Sequence, residues 1–186
     1  ISYKKLHNAT QCKTESECLE KFKQKIVELD PDIITGWNIA DFDFPYLKKR
    51  FEKNNLPFDI ARDNSETRMR ISNNFFKDSV IIVPGRQVID ALNLIQDPFI
   101  KEAPSIKNIE INSWTLEEVS QAILKEGKLL KGKDRHKQIQ ELYKKDQQKL
   151  VDYNIKDSKL AYDILEKTKT IDLAIERSQL TGLTLD

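Results

Sequence analysis

Two segments of this 186-residue chain place polar side chains where a folded domain uses them for chemistry. The first is Gly-Trp-Asn-Ile-Ala-Asp-Phe-Asp at 36–43, which follows an apolar run typical of a buried parallel strand and precedes a predicted helix. Open α/β sheets bind ligands at the carboxyl ends of their strands, so Asn38, Asp41 and Asp43 are candidate binding residues. The alternative is that Asn38 ends the strand and Asp41 or Asp43 caps the helix. The spacing alone favours this alternative.

The second segment is Tyr-Asn-Ile-Lys-Asp at 153–157, within the pattern of a long helix. Tyr153 and Asp157 are four residues apart and therefore share a helix face. Asp157 lies at the end of an apolar stripe, and a carboxylate partly removed from water needs a partner such as a metal ion. The alternative is a solvated face on which Asp157 pairs with Lys156 or Lys159. This segment alone favours the solvated face.

The elements that must position these segments follow from capping signals and hydrophobic periodicity. Two capping boxes, at 14–17 and 115–118, each open a predicted helix. Further helices are predicted over 44–54 and about 146–169, and residues 67–92 are predicted to be rich in strand. Because strands alternate with helices, the sequence predicts an α/β domain.

The composition excludes several classes of protein. Hydrophobic residues make up 39% and charged residues 33%, and large apolar side chains recur in every segment, so we do not expect disorder. No apolar run reaches the roughly 18 residues of a membrane-spanning helix, and no signal peptide is predicted. Thirty-one basic and 30 acidic residues give a net charge of +1, which by itself indicates no nucleic-acid partner. With only Cys12 and Cys18, we predict a reduced, cytoplasmic protein.

Taken together, the two segments resemble two exonuclease motifs of the family B DNA polymerases. Asn-x-x-x-Phe-Asp at 38–43 is similar to the family's second motif, and Tyr-x-x-x-Asp at 153–157 is similar to its third. Further stretches resemble the bacterial polymerase II branch of this family. They are Asp-Pro-Asp-Ile-Ile-Thr-Gly-Trp-Asn at 30–38, Arg-Asp-Asn-Ser-Glu at 62–66, Gly-Arg-Gln-Val-Ile-Asp at 85–90, Thr-Leu-Glu-Glu-Val at 115–119, Glu-Gly-Lys at 126–128, and 176–183.

The resemblance implies a ribonuclease-H-like exonuclease domain that removes mispaired 3′-terminal nucleotides from single-stranded primer ends of DNA. In this family, four acidic ligands from three motifs hold two divalent cations, Mg²⁺ or Mn²⁺, and carboxylates suit such hard cations. By motif match, Asp43 and Asp157 are metal ligands and Tyr153 orients the attacking water. Asn38 positions the strand end or contacts the substrate. Phe42 is expected to pack in the core.

Two other acidic residues near these motifs receive no ligand role from the resemblance. Asp90 has the family's Gly-Arg-x-x-x-Asp spacing, and we expect its role to be structural. Asp41 occupies a spacer position of the second motif. The resemblance therefore assigns two metal ligands to this sequence.

The family's first motif, an Asp-x-Glu on the central strand, supplies the other two carboxylates and is not recognised in this sequence. The chain starts at Ile1 and its single methionine is Met69, so we expect a piece of a longer DNA polymerase, with the first motif upstream. On this interpretation, 1–175 is a partial exonuclease domain truncated at its N-terminal strands, and 176–186 begins the connection towards the polymerase domain. We expect the piece itself to be inactive, to have a weak metal site or none, and to self-associate through exposed sheet edges.

Two rival functions remain open. One is a non-catalytic, exonuclease-like module that serves as a scaffold or binds DNA. The other is a free-standing exonuclease of the same fold. Intact second and third motifs argue against the first, since a decayed domain has no reason to keep metal-ligand chemistry. The run 176–186, which in the polymerases continues towards the polymerase domain, argues against the second.

Overall fold

Helices account for more than half of the described residues, and short strands lie between them, as an α/β domain requires. The computed structural model describes residues 5–71, 79–127, 135–183 and 185. The helices are α1 (Glu15–Leu29), α2 (Phe44–Lys53), α3 (Ala91–Gln96), α4 (Pro98–Lys101), α5 (Leu116–Leu124), α6 (Arg135–Lys145), α7 (Gln147–Thr168) and α8 (Thr170–Thr181). The strands are β1 (Ile33–Gly36), β2 (Arg68–Arg70), β3 (Val80–Ile82) and β4 (Gln87–Asp90), and a π-helical turn spans Ile39–Asp43. None of the described helices has the length and apolar character needed to cross a bilayer.

The strands form two small sheets. β1 and β4 pair in parallel, from Ile33 opposite Gln87 to Gly36 opposite Asp90, whereas β2 and β3 pair antiparallel. The predicted strand-rich region 67–92 is confirmed at β2, β3 and β4, while its central part at 72–78 lies outside the described residues. Parallel pairing brings the carboxyl ends of β1 and β4 side by side, where ligands bind in sheets of this kind.

The helices begin at their predicted caps. The Thr14 hydroxyl oxygen accepts a hydrogen bond from the Glu17 backbone N–H at 3.2 Å. The Thr115 hydroxyl oxygen accepts one from the Glu118 backbone N–H at 3.3 Å. Both are the contacts expected of a capping box. The observed bounds of α2 and α7 lie within two residues of the predicted 44–54 and 146–169, so these predictions are confirmed.

Two hydrophobic clusters pack against opposite faces of the β1–β4 sheet. The first joins α3, α5, α7 and α8, and it receives Ile33 from β1 and Ile89 from β4. The second joins α1, α2 and the β2–β3 hairpin, and it receives Ile34 and Val88. Successive strand residues point to opposite faces, which explains why neighbours in each strand enter different clusters. β1 is thereby covered on both faces, but its four residues are only partly buried, so the apolar run at 33–37 predicted the strand correctly and its burial only in part.

A network of ion pairs and hydrogen bonds joins the amino-terminal ends of β1 and β4, and it connects three of the stretches that carry the family resemblance. The Arg86 side chain is only 2% exposed and donates to the Asp30 carboxylate at 2.7 Å. It also donates to the carbonyl oxygens of Pro31 at 2.8 Å and Ile60 at 3.0 Å. Arg62 reaches the same Asp30 carboxylate at 2.8 Å from a more exposed position. The buried guanidinium of Arg86 therefore ties together three separate parts of the chain.

Replacing Arg86 with methionine is expected to lower the free energy of unfolding by about 2–4 kcal/mol, because two poorly hydrated carbonyl groups lose a charged donor. Urea denaturation followed by tryptophan fluorescence measures this change. The matched control is Arg62→Met, whose side chain is 38% exposed and whose loss should cost less than about 1 kcal/mol. Equal losses in the two variants would contradict a dominant role for the buried arginine.

Candidate active site

The chain leaves β1 through a sharp turn that the local sequence explains. Gly36 ends the strand, and a Cβ atom at this position would lie 2.5 Å from Cγ2 of Ile39. Asn38 adopts the left-handed conformation, with φ 61° and ψ 33°, which asparagine accepts more readily than most residues. The π-helical turn Ile39–Asp43 follows directly. Gly36 and Asn38 thus permit the turn that carries the second-motif residues.

Asp90 holds this turn from the end of the neighbouring strand. Its carboxyl group is largely buried, with the residue 8% exposed. Oδ1 accepts hydrogen bonds from the backbone N–H groups of Asn38 and Leu92, each at 3.0 Å. Oδ2 accepts one from the Ala40 backbone N–H at 3.0 Å. Burial raises the pKa of Asp90, although the hydrogen bonds from these backbone N–H groups act in the opposite direction. The expected structural role of Asp90 is confirmed, and its specific contact is the turn after β1.

Asp43 stands at the end of the π-helical turn, immediately before Phe44 of α2. Its side chain makes no capping hydrogen bond with α2, so the alternative interpretation of Asp43 as a cap is wrong. Asp43 is an exposed residue, but partial loss of hydration at its carboxyl raises the pKa, its own backbone N–H acts in the opposite direction, and the nearby negative charge of Asp90 raises the pKa further. A cation bound at this carboxylate would offset both effects.

Phe42 does not pack in the core, contrary to expectation, since the residue is 67% exposed. The expectation came from the match to the family motif, whose aromatic position here lies in a π-helical turn with more residues per turn than an α-helix. Within this turn Ile39 and Ala40 face the core, as does Phe44 directly after it, while Phe42 points outwards. An aromatic ring is therefore presented to solvent beside Asp43.

The third-motif residues lie on α7. Tyr153 is buried, with 6% exposure, and Asp157 is half-buried one turn later on the same face. The Oδ1 atom of Asp157 is itself removed from solvent. The helix presents Tyr153 and Asp157 together, as their spacing predicted.

The lysines beside Asp157 bind other carboxylates. Lys156 pairs with Glu126, which follows α5, and Lys159 pairs with Asp163 at 2.5 Å. Both lysines that the solvated-face interpretation offered to Asp157 thus have partners elsewhere. These pairings make the solvated-face interpretation of Asp157 less favourable than it was from the sequence alone.

β1 and α7 pack directly against each other. Ile33 and Trp37, at the two ends of the strand region, contact the cluster that contains Leu160 and Ile164 of α7. The structure therefore brings the predicted site residues together as two pairs. The pair on the turn after β1 and the pair on α7 share β1 as their common support.

The two proposed ligands are of the type that a hard divalent cation prefers, but two carboxylates are too few for the site. Oxygen atoms of Asp43 and Asp157 are the ligands that Mg²⁺ prefers in proteins. Within the part of the chain that the structure describes, no cluster of three or more His, Cys, Asp or Glu side chains is placed to hold a metal ion. A pocket of about 580 Å³ adjoins Ala40, Asp90 and Asn93, but it is lined by none of the four predicted site residues.

Comparisons with known proteins agree with the family resemblance of the sequence. The family model described as DNA polymerase family B, exonuclease domain, matches residues 3–119. DNA polymerase II of Escherichia coli is 34% identical over 173 residues, which cover 91% of this chain and 21% of that protein. The DNA polymerase delta catalytic subunit of Caenorhabditis elegans is 30% identical over 96% of this chain and 16% of its own length. DNA polymerase 1 of Pyrococcus abyssi is 30% identical over 81% of this chain and 18% of its own length.

The chain spans about a fifth or less of the length of these relatives. Because the E. coli match covers 91% of this chain, any residues left out at its carboxyl end lie after 157. The match therefore includes the third-motif segment as well as the second. These matches confirm the resemblance found in the sequence. Because the family model also covers more than half of the chain, the chain belongs to the family B DNA polymerases, in their exonuclease domain.

Proposed function

We propose that this chain carries part of the metal-dependent 3′–5′ proofreading site of a DNA polymerase. The family implies a ribonuclease-H-like α/β fold, and its exonuclease domain acts on DNA. The observation that carries the proposal is the packing of α7, with Asp157, against β1, which leads to Asp43. The substrate in this proposal is the single-stranded 3′ end of a primer, and the location is cytoplasmic, consistent with two free cysteines.

The metal ligands in this proposal are Asp43, on the turn after β1, and Asp157, on the helix that packs against β1. Asp43 makes no capping hydrogen bond with α2 and stands near the negative charge of Asp90, so a cation is a favourable partner. Asp157 contributes a carboxylate whose Oδ1 is removed from solvent. When bound, Mg²⁺ or Mn²⁺ lowers the pKa of the attacking water and stabilises the leaving 3′ oxygen.

Three further residues act on the substrate in this proposal. Tyr153, one turn before Asp157, orients the attacking water through its hydroxyl group. Asn38 contacts the terminal nucleotide from the turn that Asp43 ends. Phe42 is exposed beside Asp43, and such a ring offers a stacking surface to a base of a single strand.

Two carboxylates are too few for two cations, so the proposal places the other two on a strand outside the described residues. Among the residues that the structure describes, β1 pairs only with β4. The other edge of β1 is therefore open to a further strand. Residues 1–175 are then a partial exonuclease domain, and 176–186 lead towards the polymerase domain. That boundary falls within α8.

A second candidate function is a non-catalytic, exonuclease-like scaffold or DNA-binding module. The observation that favours it is the lack of a three-ligand metal cluster in the described part of the chain. Cation binding distinguishes the two functions, because a scaffold needs no cation at Asp43 and Asp157.

Titration with Mn²⁺ is expected to broaden the backbone amide NMR signals around Asp43 and around Asp157 at the same concentrations, because one paramagnetic ion lies near both. Asp157→Asn should weaken this binding by about tenfold or more, since it removes a charged ligand. Asp163→Asn is the matched control on the same helix, because Asp163 pairs with Lys159, and it should leave the titration unchanged. Broadening at only one of the two positions would contradict a shared cation.

A 5′-labelled single-stranded oligonucleotide is expected to keep its full length when incubated with this chain and Mg²⁺ or Mn²⁺. The physical reason is that half of the carboxylates of a two-metal site are missing from the proposed set. Gel electrophoresis over a time course measures any shortening. Turnover that Asp157→Ala abolishes would show that the expected inactivity is wrong.

Light scattering is expected to give a mass above the 21.7 kDa of one chain, increasing with protein concentration, because the open edge of β1 can pair with a second copy. Leu180→Lys provides a control, since Leu180 is 87% exposed on α8 and would mediate association by a different surface. Association through the sheet edge should persist in this variant. A monodisperse mass of one chain would exclude it.

A further inference from the structure

We propose that Asp90 is a positioning residue for the nuclease site: its carboxylate fixes the turn 38–43 and thereby the direction of the Asp43 carboxylate. The name "nuclease site" and the ligand role of Asp43 rest on the proposed function. The control that Asp90 exerts over the turn is a separate claim, based on the hydrogen bonds described above. It assigns Asp90 a role distinct from general support of the fold.

The Asp90 carboxylate binds the turn and the start of α3 at the same time. Asp90 uses both oxygens, with Oδ1 bound to the Asn38 and Leu92 N–H groups and Oδ2 to the Ala40 N–H group, all at 3.0 Å. Two N–H groups that flank a bend can form a concave site for an anion, and here the anion is a side chain of the neighbouring strand. An uncharged side chain of the same size cannot accept at both oxygen positions.

The turn that Asp90 binds has an unfavourable backbone conformation. The turn combines a left-handed Asn38 with a π-helical segment, and both are less favourable than ordinary helix or strand. The Asn38 side chain makes no capping hydrogen bond with the π-helical segment. Within the turn, the Phe42 N–H donates to the Asn38 carbonyl oxygen at 3.1 Å. The turn therefore depends on an acceptor from outside, and Asp90 is that acceptor.

Asp90 is itself held in place by the pairing of β4 with β1. Asp90 is paired with Gly36 in the parallel sheet, so it lies beside the residue from which the turn departs. The Thr35 hydroxyl donates to the Ile89 carbonyl oxygen at 2.7 Å, which ties the two strands together one position earlier. The carboxylate is thus held at a fixed place relative to the start of the turn. A movement of the turn would have to break its bonds to Asp90.

The Asp90→Asn variant separates positioning from helix capping. Asparagine caps helices about as well as aspartate, so its remaining oxygen can keep the bond to Leu92 at the start of α3. Its amide nitrogen then takes the place of Oδ2 and sets one donor against another at Ala40. Asp90→Ser is the second variant, because serine also caps a helix but its hydroxyl is too short to serve both sides.

Hydrogen exchange measured by NMR on the full chain tests the proposal directly. In Asp90→Asn, exchange at the Ala40 amide should become faster by about tenfold or more, the effect of losing a buried hydrogen bond. Exchange at Leu92 and at fully buried Leu160 and Ile164 should change far less. Asp97→Asn is the matched control, because Asp97 caps α4 through Phe99 and Ile100, and it should leave Ala40 unchanged.

The Mn²⁺ titration separates positioning from support of the fold, because a purely structural role of Asp90 would leave Mn²⁺ binding unchanged. In Asp90→Asn, weaker binding should accompany the faster exchange at Ala40, although the metal ligands and the buried core are intact. Two outcomes would overturn the proposal: Ala40 exchange at the wild-type rate in both variants, or equal acceleration at Ala40, Leu92 and the core. If the wild-type chain shows no Mn²⁺ effect near Asp43, the proposed metal site fails, and exchange at Ala40 still decides whether Asp90 fixes the turn.

Discussion

A buried carboxylate must find hydrogen-bond donors, and this requirement links the sheet to the candidate site. Asp90 is 8% exposed at the end of β4, and an unpaired charge there would be strongly unfavourable. The turn after β1 and the start of α3 provide three backbone N–H groups for it. Those N–H groups in turn need an acceptor, since neither the first turn of a helix nor a left-handed bend satisfies them internally. The carboxylate and the turn therefore stabilise each other.

The two ends of the β1–β4 pair are fixed by different chemistry. At the amino end, the guanidinium of Arg86 binds Asp30 and two carbonyl oxygens. At the carboxyl end, Asp90 binds the turn. A register shift of one residue would displace Asp90 by about 3.3 Å along the strand and would exchange the two sheet faces. Both sets of polar contacts would then be lost, so the polar ends and the apolar faces specify the same register.

The helix caps and helix bounds that the sequence predicted correctly are set by residues close together in the chain. The caps at Thr14 and Thr115 and the bounds of α2 and α7 follow from local spacing, and the structure confirms them. The exposure of Phe42 was not predicted, because the motif match identifies an aromatic position but not the direction of a side chain in a π-helical turn. The contact between Asp90 and the turn spans about fifty residues, and no local pattern reports it. The spacing Gly-Arg-x-x-x-Asp was the available signal, and it indicated a role without indicating the contact.

The two halves of the candidate site are supported in unlike ways. The turn that carries Asp43 is held by hydrogen bonds to one carboxylate, whereas α7 is held by apolar packing of Leu160 and Ile164, both fully buried. The pair between Lys156 and Glu126 adds a polar contact to the face of α7 next to Asp157. Apolar packing fixes a helix as a unit, so Asp157 is tied to the core as a whole. The turn that carries Asp43 also packs through Ile39 and Ala40, but its backbone N–H groups at Asn38 and Ala40 both bind Asp90, so we expect loss of the Asp90 carboxylate to displace Asp43 more than Asp157.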